Sequence, residues 1–201
     1  LAGNTDQLRR LVVGISASSA PQYGIAVLEA LAAVPDVESH LILSHSAHRT
    51  IELETKMSVA DVETLADVVH AADDFAASVS SGSFITHGMV VAPCSMGTLA
   101  AIAHGLTPSL LARAAGVTLK EGRRLVLVPR ETPLSLIHLR NMVAVAEAGG
   151  TVLPPVPGFY SGPQSIDDLI AHTVGKILDQ FGIDHTLFRR WVTPQEESND
   201  E

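Results

Sequence analysis

Short β-branched runs alternate with helix-period segments along this chain, and that alternation predicts an α/β fold: one parallel sheet covered by helices on both faces, a three-layer sandwich. Three observations carry the prediction. A strand-like run, a small-residue loop, a helical run and a second strand-like run follow one another at the chain start, which is a βαβ unit. The 201 residues are 46% apolar and 17% charged, enough for one domain with a sizeable core and too apolar for a disordered chain. Aromatics are only 4%, so alanine, valine and leucine fill the core, which suits closely packed layers.

The elements follow in order. Residues 1–8 are polar and patternless, and read as a disordered arm. Arg10 to Ile15 is the first strand. Ser16-Ala17-Ser18-Ser19-Ala20-Pro21 is a loop of small residues whose proline is placed to open a helix over Tyr23 to Val34. Glu38 to Leu43 is the second strand, ending in Ser44-His45-Ser46. Ala47 to Leu53 is a short helix, and Ser58 with Asp61 caps another. Val68 to His70 is a small strand, and Asp73 to Ser83 an irregular surface loop. Gly88 to Pro93 is a buried strand ending at Cys94-Ser95-Met96-Gly97-Thr98, with a helix from Leu99 to His104 behind it. Pro108 to Ala115 is a further helix. Arg124 to Val128 is a strand that stops at Pro129 and hands over Arg130 and Glu131 side by side. A long helix spans Ser135 to Ala148, Thr151 to Leu153 is the last strand, and Pro154 to Tyr160 is a stiff loop. Ser165 caps the final helix, which runs to about Phe181. The domain is expected over residues 9–192, and the acidic tail, 193–201, is expected to be disordered.

The formal net charge of −9 argues against a nucleic-acid backbone as partner. Lys120, Arg123, Arg124 and Arg130 still form a basic cluster along the sequence. The single cysteine, Cys94, excludes an intrachain disulfide and fits a reducing, cytoplasmic compartment. No apolar run approaches the roughly 20 residues of a membrane span.

Ligands of open α/β sheets bind outside the C-terminal ends of the strands. Two strand ends here, Ser16–Ser19 and Cys94–Thr98, place small hydroxyl residues before a helix N-terminus. Singly, each reads as a helix cap; together they are equally consistent with a phosphate or nucleotide site. No glycine-rich dinucleotide fingerprint and no Walker loop is present. His45 and His48 lack a third ligand at sensible spacing, so no metal site is expected. Cys94 reads as buried and structural, and Ser19 lacks the glycines of a nucleophile elbow.

Several of these stretches together resemble the UbiX-type flavin prenyltransferases. The matching segments include Ser16 to Gly24, Leu53-Glu54-Thr55, Ser81-Gly82-Ser83, Pro93 to Leu99, Leu119-Lys120-Glu121, Pro129-Arg130-Glu131-Thr132-Pro133, Pro157-Gly158-Phe159-Tyr160 and Pro163-Gln164-Ser165. The resemblance implies a single-domain flavodoxin-like or Rossmann-like fold that binds FMN. It implies transfer of the dimethylallyl group of dimethylallyl monophosphate to N5 and C6 of reduced FMN, without a metal. The prenylated FMN would then serve a UbiD-type decarboxylase, and the enzyme would be a homododecamer with active sites shared between subunits. By matching position, Ser19, Ser44, Ser95, Thr98 and Arg130 would contact FMN, with backbone contacts from Ala17, Ser18, Met96 and Gly97. Lys120, Arg130, Tyr160 and Lys176 would hold the donor phosphate. Glu131 would protonate the leaving phosphate, and Ser19 and Glu54 would assist proton transfer at the flavin. Arg113 and Trp191 match positions near the site. The family's first loop usually carries glycines where this chain has Ala17 and Ala20, and the added Cβ atoms restrict positive φ there. Two further readings are an FMN-dependent peptidyl-cysteine decarboxylase and a flavin-binding paralogue without transferase activity.

Overall fold

The computed structural model of the chain describes residues 8–191. The expected arm, save Leu8, and the expected acidic tail lie outside the described residues. Six strands form one sheet in which every pairing is parallel. They are β1 (Arg9–Ile15), β2 (Val37–Leu43), β3 (Val68–His70), β4 (Gly88–Cys94), β5 (Arg124–Pro129) and β6 (Thr151–Val152), in the order β3-β2-β1-β4-β5-β6. That is the doubly wound order of the Rossmann type, and its reversal lies between β1 and β4. Helices α1 (Gln22–Ala32), α2 (His45–Glu54), α3 (Val59–Glu63), α4 (Met96–Ala103), α5 (Leu110–Lys120), α6 (Leu136–Glu147) and α7 (Ile166–Gln180) complete the layers.

Strand alternation decides which layer each side chain serves. Leu11, Val13, Ile15, Val90, Ala92, Val126 and Val128 pack with Val27, Leu28, Val174 and Ile177 from α1 and α7. Val12, Met89, Val91, Leu125 and Leu127 face Leu99, Leu110, Leu111 and Ala115 from α4 and α5. Gly24 sets the first contact: a Cβ there would lie 2.2 Å from the Ala92 carbonyl oxygen and 2.6 Å from Ile15 Cγ1. Only glycine lets the first turn of α1 sit this close to β1 and β4, so it fixes where the loop before α1 crosses the sheet edge.

Two element boundaries differ from expectation by three residues or more. The fourth helix begins at Met96 instead of Leu99, because Ser95 caps it through a hydrogen bond from the Thr98 N–H. The fifth does not stop at Ala115. It continues to Lys120, and Gly122 at φ +65° is the glycine past its end.

Candidate active site

The crevice at the reversal of strand order is built by Ser16. Its buried hydroxyl donates to the Pro93 carbonyl (3.0 Å) and accepts from the Ser95 N–H (2.8 Å), tying the ends of β1 and β4 together. This residue carries no role in the sequence reading. Its only signal is its position directly after a strand that borders the crevice.

The two hydroxyl-bearing loops turn out to differ. At α4 the capping reading holds: Ser95 Oγ accepts from the Thr98 N–H (3.2 Å) and donates to Thr98 Oγ1 (3.0 Å). Among the described residues the Thr98 O–H takes no acceptor. The first-turn N–H groups of Met96 and Gly97 take no acceptor among the described residues. A Cβ on Gly97 would meet nothing within 4 Å, so this helix end is open to an anion. At α1 the capping reading fails: Pro21 is the N-cap and no side chain caps the helix. The Ser18 hydroxyl donates instead to the Arg130 carbonyl (2.9 Å), bridging the ends of β1 and β5. The Ser19 hydroxyl and the Ala20 N–H both donate to Glu54 Oε2, at 2.9 and 2.8 Å. Gln22 Nε2 donates to the Glu54 carbonyl at 2.7 Å. Glu54, at the C-terminal end of α2, thus meets the first loop, as the implied pairing of Ser19 with Glu54 requires. Ser44 follows β2, takes its N–H to the Ile15 carbonyl (3.0 Å) and caps α2.

Ala20 adopts φ +70°, the one described non-glycine residue with positive φ. Ala17 does not share it. Of the two alanines expected to restrict the loop, one occupies the left-handed region and bears the strain.

Arg130 and Glu131 leave the β5 end where expected. The Arg130 N–H reaches the Cys94 carbonyl at 3.4 Å, so the β5 exit stays beside the β4 exit. Glu131 is exposed, and its Oε1 accepts from the Thr132 N–H at 3.1 Å. Cys94 is fully buried, and burial pushes its thiol up to about 12. It is structural, not a nucleophile.

The basic cluster read along the sequence does not form one pocket within the chain. Arg124 opens β5 and Arg130 follows its end, which places them roughly 20 Å apart at strand rise. Lys120 pairs with Glu121 at the Arg124 end of the sheet. Arg123 donates to the carbonyls of Phe84 (2.8 Å) and Gly82 (2.6 Å), and Arg113 to the Ser80 carbonyl (3.0 Å). These two arginines hold the serine-rich loop. Closeness in sequence misleads here because a strand of six residues separates the ends.

Tyr160, in the loop before α7, and Lys176, on α7, belong to a third region. The Tyr160 hydroxyl lies 3.0 Å from Nε2 of the buried His172, and its ring stands edge-on to Trp191 at 5.9 Å. Lys176 follows one turn after His172 and reaches Asp179 at 3.4 Å. Asp179 also accepts from Arg190 and lies 3.2 Å from His185 Nε2, and Arg190 beside it holds its carboxyl down at about 2. His172 and Asp179 are supporting residues that the sequence reading missed. Their signal is positional only: each lies on the α7 turn next to Lys176.

The donor set at the crevice fits a phosphorylated flavin. It offers free helix N–H groups and the Thr98 O–H for a phosphate, a carboxylate–hydroxyl pair (Glu54–Ser19), and Arg130 beside them.

The comparisons agree with that fit. The family model described as Flavoprotein matches residues 2–178. Flavin prenyltransferase UbiX of Escherichia coli (strain K12) is 54% identical over 186 residues, covering 92% of this chain and 98% of that one. A probable UbiX-like flavin prenyltransferase of Streptomyces sp. (strain D7) is 54% identical over 183 residues, covering 91% and 92%. Among solved structures, AnUbiX (PadA1) in complex with FMN and dimethylallyl pyrophosphate superimposes with TM-score 0.91 at 51% identity, covering 93% of this chain and 99% of that one. The dodecameric FMN-dependent UbiX-like decarboxylase of Escherichia coli O157:H7 gives 0.90 at 52% identity, covering 92% and 100%. The cysteine decarboxylase TvaF, at 16% identity and TM-score 0.62, shares the fold alone.

Proposed function

The chain belongs to the flavoprotein family, among its UbiX-type flavin prenyltransferases, and we propose from that membership a division of labour among its residues. It transfers a dimethylallyl group from a dimethylallyl phosphate to FMN and works as a homododecamer. Reduced FMN supplies the nucleophilic positions N5 and C6.

Breaking an allylic C–O bond leaves a carbocation and a phosphate, so the site needs cations and a proton donor at the phosphate oxygen. Arg130 supplies the first and Glu131, its neighbour at the β5 end, the second. The Glu54–Ser19 hydrogen bond gives a path for the proton lost from the flavin edge, from Ser19 Oγ to the Glu54 carboxylate. Thr98, Ser95, Ser44 and the first-turn N–H groups of α4 hold the flavin phosphate and ribityl chain, with the Ala17–Ser19 backbone along the flavin. Lys120, Tyr160 and Lys176 hold the donor phosphate. Because Lys120 stands at the far edge of its own sheet, this assignment makes the site a shared one, with Lys120 reaching Arg130 of another copy.

The observation that carries this reading is the Arg130–Glu131 pair at the β5 end, tied through Ser18 to the loop that meets Glu54. The prenyl donor is read as the monophosphate. Residues 9–192 make up the working domain, a UbiD-type decarboxylase receives the product, and a reducing cytoplasm suits the single buried thiol. No specific observation favours the cysteine-decarboxylase reading.

The test is a mass spectrum of the flavin after anaerobic incubation with FMNH₂ and dimethylallyl monophosphate; the expected adduct carries one added five-carbon unit. Glu131→Gln is expected to slow transfer roughly 100-fold, the usual size of a lost general acid, with FMN affinity unchanged. Turnover equal to the parent's removes Glu131 from the acid role.

A further inference from the structure

Resting on the assignment of Tyr160 to the donor phosphate, we infer that the buried His172 is a positioning residue for that phosphate, acting through the Tyr160 hydroxyl.

The argument is a count of protons. A phenol has one O–H to give and lone pairs to receive. Tyr160 Oη stands 3.0 Å from His172 Nε2, with its ring edge-on to the imidazole at 5.6 Å. Burial, followed by the nearby Lys176, holds His172 below its ordinary pKa, so the ring is neutral. Without a ligand the phenol can donate to a bare Nε2. A phosphate oxygen takes the same O–H. Tyr160 can then keep its tie to α7 only by accepting, which requires the His172 proton on Nε2. One ring serves both states, as acceptor before the phosphate arrives and as donor afterwards, with no change in the number of protons on the pair.

The surroundings suit that task and no other evident one. His172 is 8% exposed, and its ring packs 4.7 Å from the Phe188 ring. Gly158 lies against its free edge: a Cβ there would stand 3.1 Å from His172 Cε1 and 3.2 Å from a Tyr160 ring carbon. The loop before Tyr160 is therefore pressed onto the imidazole, and rotation of either ring is restricted. Lys176 lies four residues on from His172, on the same face of α7. Tyr160 itself is about half exposed, at 49%, which leaves its hydroxyl within reach of a ligand. A buried ring orients an exposed phenol.

The experiment compares three replacements. His172→Gln places an amide where Nε2 stood, His172→Asn places one where Nδ1 stood, and His172→Phe removes both. Binding is read first without turnover, as the calorimetric Kd of dimethylallyl monophosphate for protein loaded with oxidised FMN. His172→Phe and His172→Asn are expected to weaken it about tenfold, the scale of one hydrogen bond to a charged group, and His172→Gln to restore most of it. In turnover the same variants raise KM for the donor with kcat within about threefold, and the FMN Kd stays that of the parent. In a Tyr160→Phe background His172→Phe adds nothing further.

Equal donor Kd for the Gln and Asn variants overturns the inference, and so does a full additional loss in the Tyr160→Phe background. If His172→Phe fails to fold, the Gln–Asn contrast alone decides. Failure of the parent protein to bind dimethylallyl monophosphate condemns the prenyl-donor reading instead, and is a separate outcome.

Discussion

Ala20 holds a left-handed conformation where the resembled family places glycine. The cost of a Cβ at φ +70° is roughly 1 kcal/mol, and the loop bears it because Glu54 takes the Ala20 N–H. Ala20→Gly should therefore raise stability by about 0.5 kcal/mol, the relief of strain less the added freedom of the unfolded chain. That is a rise in Tm of one or two degrees for a domain this size. Ala17→Gly, at a position without positive φ, should lower stability by a similar amount. A fluorescence melt of both variants separates them; a fall in Tm for Ala20→Gly would mean that Ala20 is not strained. The sequence showed that alanines stood in this loop but not which one carried the turn, because backbone dihedrals depend on where the loop is tied. Ser16 shows the same limit. A serine after a strand looks like any cap until β4 is laid beside β1 and its hydroxyl meets Pro93 and Ser95.

At the scale of elements, local signals were legible wherever a helix terminates itself. Ser58 and Ser165 were read as caps, and both close capping boxes, with Asp61 and Asp168. The helix expected to stop at Ala115 does not, because Val117 and Thr118 beyond it are buried and their packing carries α5 on to Lys120. What no local pattern revealed is how residues 183–191 return to α7. Asp179 does this by accepting from Arg190 at 2.8 and 3.2 Å, with His185 and Lys176 beside it. Its carboxyl titrates at about 2, against an ordinary 3.8, chiefly because of Arg190. A depressed carboxyl stabilises the fold fully above its unfolded value, and that contribution disappears as pH falls from about 4 through about 2. The shift corresponds to about 2 kcal/mol for a side chain only 20% exposed. Asp179→Asn is expected to lose about that much in urea unfolding at pH 7, with the gap to the parent closing below pH 4. A gap independent of pH would mean that the charge on Asp179 does not hold this segment.

For the whole molecule, the order β3-β2-β1-β4-β5-β6 explains why the residues proposed for the flavin gather within one chain and those proposed for the donor do not. Residues at the ends of β1, β2, β4 and β5 share one edge of the sheet, so Ser19, Ser44, Thr98 and Arg130 gather however far apart they stand in sequence. Lys120 is ten residues from Arg130 and lies at the opposite edge, because β5 runs between them. In a single chain the two cannot grip one phosphate; in a dodecamer, Lys120 of one copy can stand at Arg130 of the next. The exposed apolar face of α6, with Leu136, Ile137 and Val143 each more than half exposed, is a surface that such packing would cover. Subunit mixing tests the shared site directly. Lys120→Ala and Arg130→Ala assemblies should each be nearly inactive, by 100-fold or more, since each lacks a charged contact to the phosphate. Dissociated, mixed in equal amounts and reassembled, they should regain activity. If each site draws on one Lys120 and one Arg130 from different copies, random mixing pairs two intact residues at about a quarter of the sites, and about a quarter of parental turnover should return. Were both residues to serve the same site from one chain, no mixture would contain an intact site and activity would stay at the level of the separate variants.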